Sequence, residues 1–444
     1  MDKGKVVQWR QELPVRHDVD VFVAGGGPAG IAAAVAAARQ GAQVFLAEGQ
    51  ACFGGMGTSG LVPVFMQFAD GVNFLAAGIG REIYDALWDS GAAYPADQRD
   101  NPNRTANIRA EALKRLYDRL VAAAGVQFSF LTQVIGVEAE DGFVSHAVCA
   151  AKSGVFAVRA KLFVDATGDG DLAAWAGAPF EKGDAEGNLM PGTLCSLWAG
   201  VDWPAVYASK MCPQAYVPEG LKAGLLTVPD LHLPGMWQVG EQVGGGNIGH
   251  LFGVDGSDER SLTAALLHGR RSLLEYEQFF KKILKGYEKM ELVATAALPG
   301  IRETRRILGD YLLNVEDFKA RAVFPDEIGR YAYPVDVHPS KPDAANFKAF
   351  EEEFTRLRYQ PGENYGIPYR CLTPQKLHNL LVAGRCLSAD RLMQGSVRVM
   401  PACFITGQAA GTAAAMLAGG GGDIHTLDVA ALQQRLKAAG AFLP

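Results

Sequence analysis

Gly25, Gly27 and Gly30 stand at G-x-G-x-x-G spacing in the run AGGGPAG, and an acid, Glu48, follows eighteen residues after the last of them. Residues of these types at this spacing can hold a dinucleotide. The first glycine permits a tight turn, the second lets the backbone approach a pyrophosphate, and the third lets a helix lie close to a strand. The helix that begins there aims its N-terminal amides at the phosphate charge. Pro28 and Ala29 belong to the same turn. A carboxylate at the position of Glu48 takes a ribose hydroxyl pair, which favours FAD or NAD over NADP.

A second group could handle a substrate. GIRETRR places Arg302, Arg305 and Arg306 close together. An arginine fork suits bidentate recognition of a carboxylate, or pairs structurally with Glu303 or Asp310. Arg302 and Arg305 share a face on a helix and oppose each other on a strand. Arg302 is the first choice and Arg305 the second. In YAYPVDVHP, Asp336 stands two residues before His338, so an extended chain turns both the same way. That arrangement could orient the imidazole and raise its basicity; the other reading is a structural histidine. Tyr365, Tyr369 and Arg370 precede the last apolar run and could line a site or simply pack. His250 is a weaker choice. The histidines are scattered, so no metal site is expected. The seven cysteines form no C-x-x-C pair, which argues against a redox pair, an iron–sulfur cluster or a zinc knuckle. Most read as buried thiols, with Cys52 nearest the expected cofactor.

These residues need elements to hold them. Val19–Ala24 reads as a strand, Ile31–Arg39 as a helix ended by Gly41, and Gln43–Ala47 as a second strand. Residues 1–17 read as a polar lead-in. The loop after Glu48 carries Gly54, Gly55, Met56, Gly57, Thr58, Ser59 and Gly60, whose amides and hydroxyls could face a cofactor. Ile79–Asp89 and Asn107–Ala124 read as helices. Val126–Leu131, Val134–Glu138, Val144–Ala150 and Val155–Val158 read as a small antiparallel meander. Leu162–Val164 then leads into Asp165-Ala166-Thr167-Gly168, a second glycine turn toward the same crevice. Gly244–Gly249 also fits G-x-G-x-x-G, but no helix follows and no βαβ unit surrounds it, so it is rejected. Leu262–Phe280 reads as an amphipathic helix with a solvated charged face. Leu380–Ala383 reads as a buried strand ending at Gly384.

At 444 residues the chain has room for two or three domains. A formal net charge of −6 suggests no nucleic-acid partner. The N-terminal run lacks the apolar core of a signal peptide. The Ala/Gly-rich runs near 29–38 and 402–420 read as too short or too interrupted to span a membrane. A cytoplasmic location is expected, and a homo-oligomer is left open.

Taken together, GGGPAG, the acid after the second strand, FGGMGTSG and FVDATGDGDLA resemble FAD-binding oxidoreductases of the glutathione-reductase-like superfamily. GIRETRRILGDY and NLLVAGRCLSADRLMQGSVRVMPACFITGQAAGTAAA resemble the bacterial group called FAD-dependent oxidoreductases. The resemblance runs from about residue 18 to about 420 and implies FAD as cofactor. It implies that Ala166, Thr167 and Gly168 lie near that cofactor, Val134 near the adenine, and Gly384 and Arg385 near the pyrophosphate or ribityl chain. The 395–401 turn, with Ser396, Arg398 and Val399, would approach the flavin ring. Pro401 suits the first turn of a helix, whose N-terminus, with Arg398, would place positive charge near a reduced flavin.

The expected architecture is α/β: a Rossmann-like FAD-binding domain, with a parallel sheet and a small meander, and an inserted mixed α+β substrate domain. The first part of the cofactor domain would cover 18–180, the substrate or cap domain 181–370, the returning strand and helix 371–420, and a C-terminal helix or tail 421–444. The expected reaction is hydride transfer from a small polar organic substrate to flavin N5, with electrons passed to an unknown external acceptor. Arg302 would anchor the substrate and His338 would act as acid or base. Two other classes stay open: a reductase of an activated double bond fed by a separate donor, and a flavoprotein with FAD in a structural or isomerase role. Covalent attachment of the flavin through Cys52 or a histidine is also open.

Overall fold

The computed structural model describes residue 7 and residues 10–444; most of the lead-in before residue 10 lies outside the described residues. Strand β1 runs Val15–Ala24, helix α1 Pro28–Arg39 and strand β2 Val44–Ala47. β1 therefore starts inside the expected lead-in. Its first four residues are largely solvent-exposed while the last four are buried, so the apolar pattern marks only its inner half. Pro28 sits in the first turn of α1, and Gly41 adopts φ +90° just beyond its end.

Four further strands complete the N-terminal part of the sheet: β3 (Gln127–Ser129), β4 (Gln133–Glu140), β5 (Phe143–Ala151) and β6 (Gly154–Asp165). The order is β3-β2-β1-β6-β5-β4, and strand β7 (Leu380–Val382) also pairs with β6. β1 pairs in parallel with β2 and β6, β2 with β3, and β7 with β6, whereas β4, β5 and β6 are antiparallel. The run 126–131 is thus the edge of the parallel sheet, not a meander strand. β6 joins the two patterns. Residues 154–159 pair with β5, and Phe163–Asp165 pair with β7 from the far end of the chain.

A long C-terminal helix covers α1. It spans Met400–Gly420 and, against the expectation of a run too short or too interrupted, is long and apolar enough to cross a membrane. Here 83% of its most apolar window is buried within the protein. A Cβ on Gly407 would stand 2.2 Å from the Ala29 carbonyl, and one on Gly411 2.0 Å from that of Ala33. Small residues on both helices let the two backbones nearly touch.

A second apolar core draws on residues 194–296 and centres on Trp198, Leu273, Tyr276, Phe279 and Phe280. It lies between helix α2 (Glu259–Ile283) and an antiparallel sheet ordered Gly235–Gln238, Gly244–Asn247, Ser196–Ala199, Glu291–Thr295. The second G-x-G-x-x-G run thus begins as a strand paired on both sides, without a helix behind it. Residues from Ile307 onward return to the first core.

Candidate functional site

A cavity of about 410 Å³ opens where the C-terminal ends of β1 and β6 meet the second core. Its dinucleotide end is built as the glycine spacing requires. Gly25 has φ +92°, and a Cβ there would stand 2.7 Å from the Ala166 carbonyl. Gly30 is closer still: its Cβ would lie 1.8 Å from the Gly25 carbonyl. Gly27 differs, because a Cβ on it would meet nothing within 4 Å and would project beside the cavity. The space in front of Gly27 and the N-terminus of α1 suits a pyrophosphate.

Glu48 is buried at the end of β2 on the cavity wall. The Gly26 and Gln50 amides each donate to one of its oxygens at 2.6 Å. Burial raises its carboxyl above the usual range, and the two amides oppose that rise. Remaining lone pairs are free for a ribose. Pro28, Ala29, Gly55, Met56 and Val134 also line the cavity, as do Ala166, Thr167, Gly168, Gly384 and Val399.

The Ala166–Gly168 turn is held by Asp165, at the end of β6. Asp165 is fully buried and accepts from the Thr167 amide at 3.0 Å, the Thr167 hydroxyl at 2.7 Å and the Ala173 amide at 2.8 Å. Burial raises its carboxyl to about 6, against these three donors.

Several expected residues do other work. The Gly54 amide donates to the Gly26 carbonyl, and the Thr58 hydroxyl donates to Phe53 O at 2.6 Å; both shape the loop behind the wall. Ser396 is fully buried, donating to Tyr333 O at 2.5 Å and lying 2.7 Å from the Tyr365 hydroxyl. Tyr369 donates to Ile424 O at 3.0 Å, away from the cavity. Arg305 pairs with Asp171 at 2.6 Å. It lies on a short strand, Arg305–Ile307, and unlike Arg302 does not line the cavity. Arg385 reaches the wall, but its guanidinium bridges Gly168 O, Ile301 O and Asp169. Cys52 is not on the wall and lies 3.3 Å from the Ser59 hydroxyl, whereas Cys195 and Cys403 do line the cavity. Burial pushes both of those thiols up to about 12.

At the other end the wall carries Arg302, Arg398, Tyr333, Asp336 and His338. Arg302 is buried and donates to Pro191 O at 2.7 Å and to the Thr193 hydroxyl at 3.0 Å. Among the described residues no carboxylate pairs with it. Burial, then the charge of Arg398, lowers it to about 10. Arg398 donates to Asp336 O at 2.9 Å, and its buried Nε has no partner. Burial alone would raise the Asp336 carboxyl, but His338, Arg398 and Arg302 hold it well below the usual carboxylate range. His338 Nε2 lies 3.3 Å from Asp336, as the two-residue spacing predicts. Burial and Arg302 keep this imidazole well below its ordinary pKa, so it is neutral near pH 7.

Behind His338 lies a cluster that the spacing did not reveal. His338 Nδ1 is 2.9 Å from His250 Nε2, and His250 Nδ1 is 3.0 Å from Asp230. His232 stacks on His250 with ring centroids 5.3 Å apart. Three separate segments supply these rings. The one signal available was a repeated Asp-x-His, at 230–232 and 336–338.

The cavity fits an extended dinucleotide: an open glycine before the N-terminus of α1, a buried acid at the end of β2 and a cationic far end. Comparison with known proteins agrees with this geometry. No curated protein sequence matches the chain. Among solved structures it is similar to a geranylgeranyl bacteriochlorophyll reductase-like protein from Thermoplasma acidophilum, at 14% identity and TM-score 0.51, covering 96% of this chain and 84% of that one. It is also similar to L-proline dehydrogenase from P. horikoshii, at 12% identity and TM-score 0.45, covering 94% and 96%. At 14% identity the likeness to the first of these is one of fold. The profile of a family described as FAD dependent oxidoreductase matches residues 20–436. The chain therefore belongs to the FAD-dependent oxidoreductase family, and FAD is its cofactor.

Proposed function

We propose that the protein oxidises a small organic anion, such as a hydroxy acid or amino acid, which gives up a hydride and a proton, with the electrons passing on to an external acceptor. Bound FAD supplies the two-electron acceptor. The observation that carries this reading is Arg302, a buried guanidinium on the cavity wall whose partners are a carbonyl and a hydroxyl rather than a carboxylate. A buried cation in that state favours a carboxylate ligand. Arg398 on the same wall adds positive charge. His338, held against Asp336, is the group placed to exchange a proton with the substrate's reacting oxygen or nitrogen. Gly27, Glu48 and the Ala166–Gly168 turn hold the dinucleotide.

The test is anaerobic addition of a panel of hydroxy and amino acids to the flavin-loaded protein. A substrate bleaches the visible flavin band. For that substrate, Arg302→Ala should raise the dissociation constant about 10- to 100-fold, the loss expected for a charged hydrogen bond. An unchanged constant would remove Arg302 from the site. Bleaching by an external donor, followed by recolouring with the substrate, would reverse the direction of the reaction and keep the anchor.

A further inference from the structure

The three imidazoles behind the cavity have donor atoms within 4.8 Å of one another. They come from distant parts of the chain: His232 from a loop, His250 from the short strand His250–Leu251, and His338 from the extended segment after Glu327–Tyr331. Two of them face each other nitrogen to nitrogen, His250 Nε2 to His338 Nδ1 at 2.9 Å. The opposite nitrogen of each lies within ion-pair distance of a carboxylate, His250 Nδ1 at 3.0 Å from Asp230 and His338 Nε2 at 3.3 Å from Asp336, although neither pair is aligned as a hydrogen bond. If each ring keeps its proton on the carboxylate side, two lone pairs point at one another across the gap. The arrangement asks for a cation between the rings.

A proton could fill that gap, but it would leave the third ring without a role. Among the described residues the His232 imidazole makes no hydrogen bond, although its ring stacks on His250 and meets His338 edge-on, with centroids 5.3 and 4.7 Å apart. Asp230 is 3% exposed; it accepts from the His232 and His250 amides at 3.1 and 3.2 Å, and among the described residues its one ion-pair contact is His250. A metal ion uses the third ring. Phe252, Phe347 and Phe350 surround the cluster with apolar rings. Neutral imidazoles backed by carboxylates are the usual surroundings of a bound first-row metal.

We propose that His232, His250 and His338 form a binding site for a divalent first-row transition-metal ion, with zinc(II) the best match to three nitrogen donors. With bonds of about 2.0–2.1 Å, nitrogens 2.9 Å apart subtend about 90°, and parting them by about 0.4 Å reaches the tetrahedral spacing. Three histidines leave a fourth position open to solvent or a ligand. The ion ties three segments of the substrate side together behind the wall that His338 lines. It goes beyond the proposed oxidation and does not depend on it. With the metal on Nδ1, the proton of His338 stays on Nε2 facing Asp336, so the ion and a proton-accepting role of His338 are alternatives.

The experiment uses tag-free, flavin-loaded protein, stripped with a chelator and titrated with zinc(II) calorimetrically. One ion per chain should bind, and X-ray absorption of the zinc-loaded wild type should show imidazole nitrogens at bonding distance and no sulfur. His232→Ala should weaken binding by more than about 100-fold, beyond the 10- to 100-fold expected for Asp230→Asn, with flavin content unchanged. His378→Ala, in the separate His378, Asp423 and His425 cluster, should leave this binding unchanged. Failure of the wild type to bind one zinc ion overturns the proposal. So does binding that survives His232→Ala but is lost in His378→Ala, or a zinc spectrum showing sulfur or oxygen ligands alone. Because the wild-type spectrum reads the ligands directly, the test holds even if a variant fails to fold.

Discussion

Individual glycines in the N-terminal turn have separable roles, because their surroundings differ. Gly27 has φ −69° and ψ −176°, an ordinary extended conformation, with nothing within 4 Å of the Cβ position. Gly27→Val should therefore fold, at a cost of about 0.5–2 kcal/mol for a poorer N-cap on α1 and without a steric conflict. Its side chain would occupy the space left for the pyrophosphate, so flavin content should fall to near zero. Flavin release on denaturation and the melting temperature of the apoprotein check both halves. Gly30→Ala should do the reverse damage, since its Cβ would meet the Gly25 carbonyl at 1.8 Å and the turn itself must move. Arg302 and Arg305 show the same dependence on surroundings. They share a residue type and a motif, yet one faces the cavity and the other is held by Asp171.

Two elements brought from the far end of the chain complete the cofactor domain, and each makes a prediction. The Met400–Gly420 helix lies against α1 through glycines whose Cβ positions fall on carbonyl oxygens. Gly411→Leu should cost about 1–3 kcal/mol or more, the range for overpacking a closed interface, because neither backbone can withdraw without opening the core. Chemical denaturation of the apoprotein measures this apart from flavin binding. The C-terminal helix Val429–Ala438 is preceded by a latch that titrates. His425 Nδ1 lies 2.6 Å from Asp310 and its Nε2 2.8 Å from Leu377 O, so both ring nitrogens face acceptors. Burial alone would lower its pKa, but Asp310 and the carbonyl raise it. The folded pKa thus exceeds the unfolded one. The stabilisation is complete below the unfolded value near 6.5 and is lost as pH rises through the folded value. Wild type should exceed His425→Ala in melting temperature by more at about pH 5.5 than at about pH 9, and an equal gap at both would remove the latch.

At the scale of the whole molecule, legibility follows the range of the contacts. The cradle for the dinucleotide could be read from Gly25 to Glu48 because turn, helix, strand and acid all lie within one short stretch, where spacing alone sets geometry. The same holds for Asp336 and His338, two residues apart on an extended segment. β7 and the Met400–Gly420 helix were recognisable as a buried strand and a Pro-initiated helix, though not as the partners of β6 and α1. Boundaries slipped where burial faded. The outer half of β1 carries no apolar pattern, and β3 looked like its antiparallel neighbours until its partner, β2, was known. Side-chain direction decided the rest. Ser396, Thr58 and Tyr369 have hydroxyls that suit a site, but a nearby carbonyl takes each one. The histidines at 232, 250 and 338 are scattered along the chain and carry no common period, so only the packing of the second core onto the first brings their nitrogens together. Local spacing thus determined the nucleotide cradle and its cofactor class. Which charged groups reach the cavity, and which imidazoles share a gap, was left to tertiary structure, because those distances depend on long-range closure between cores rather than on steps along the backbone.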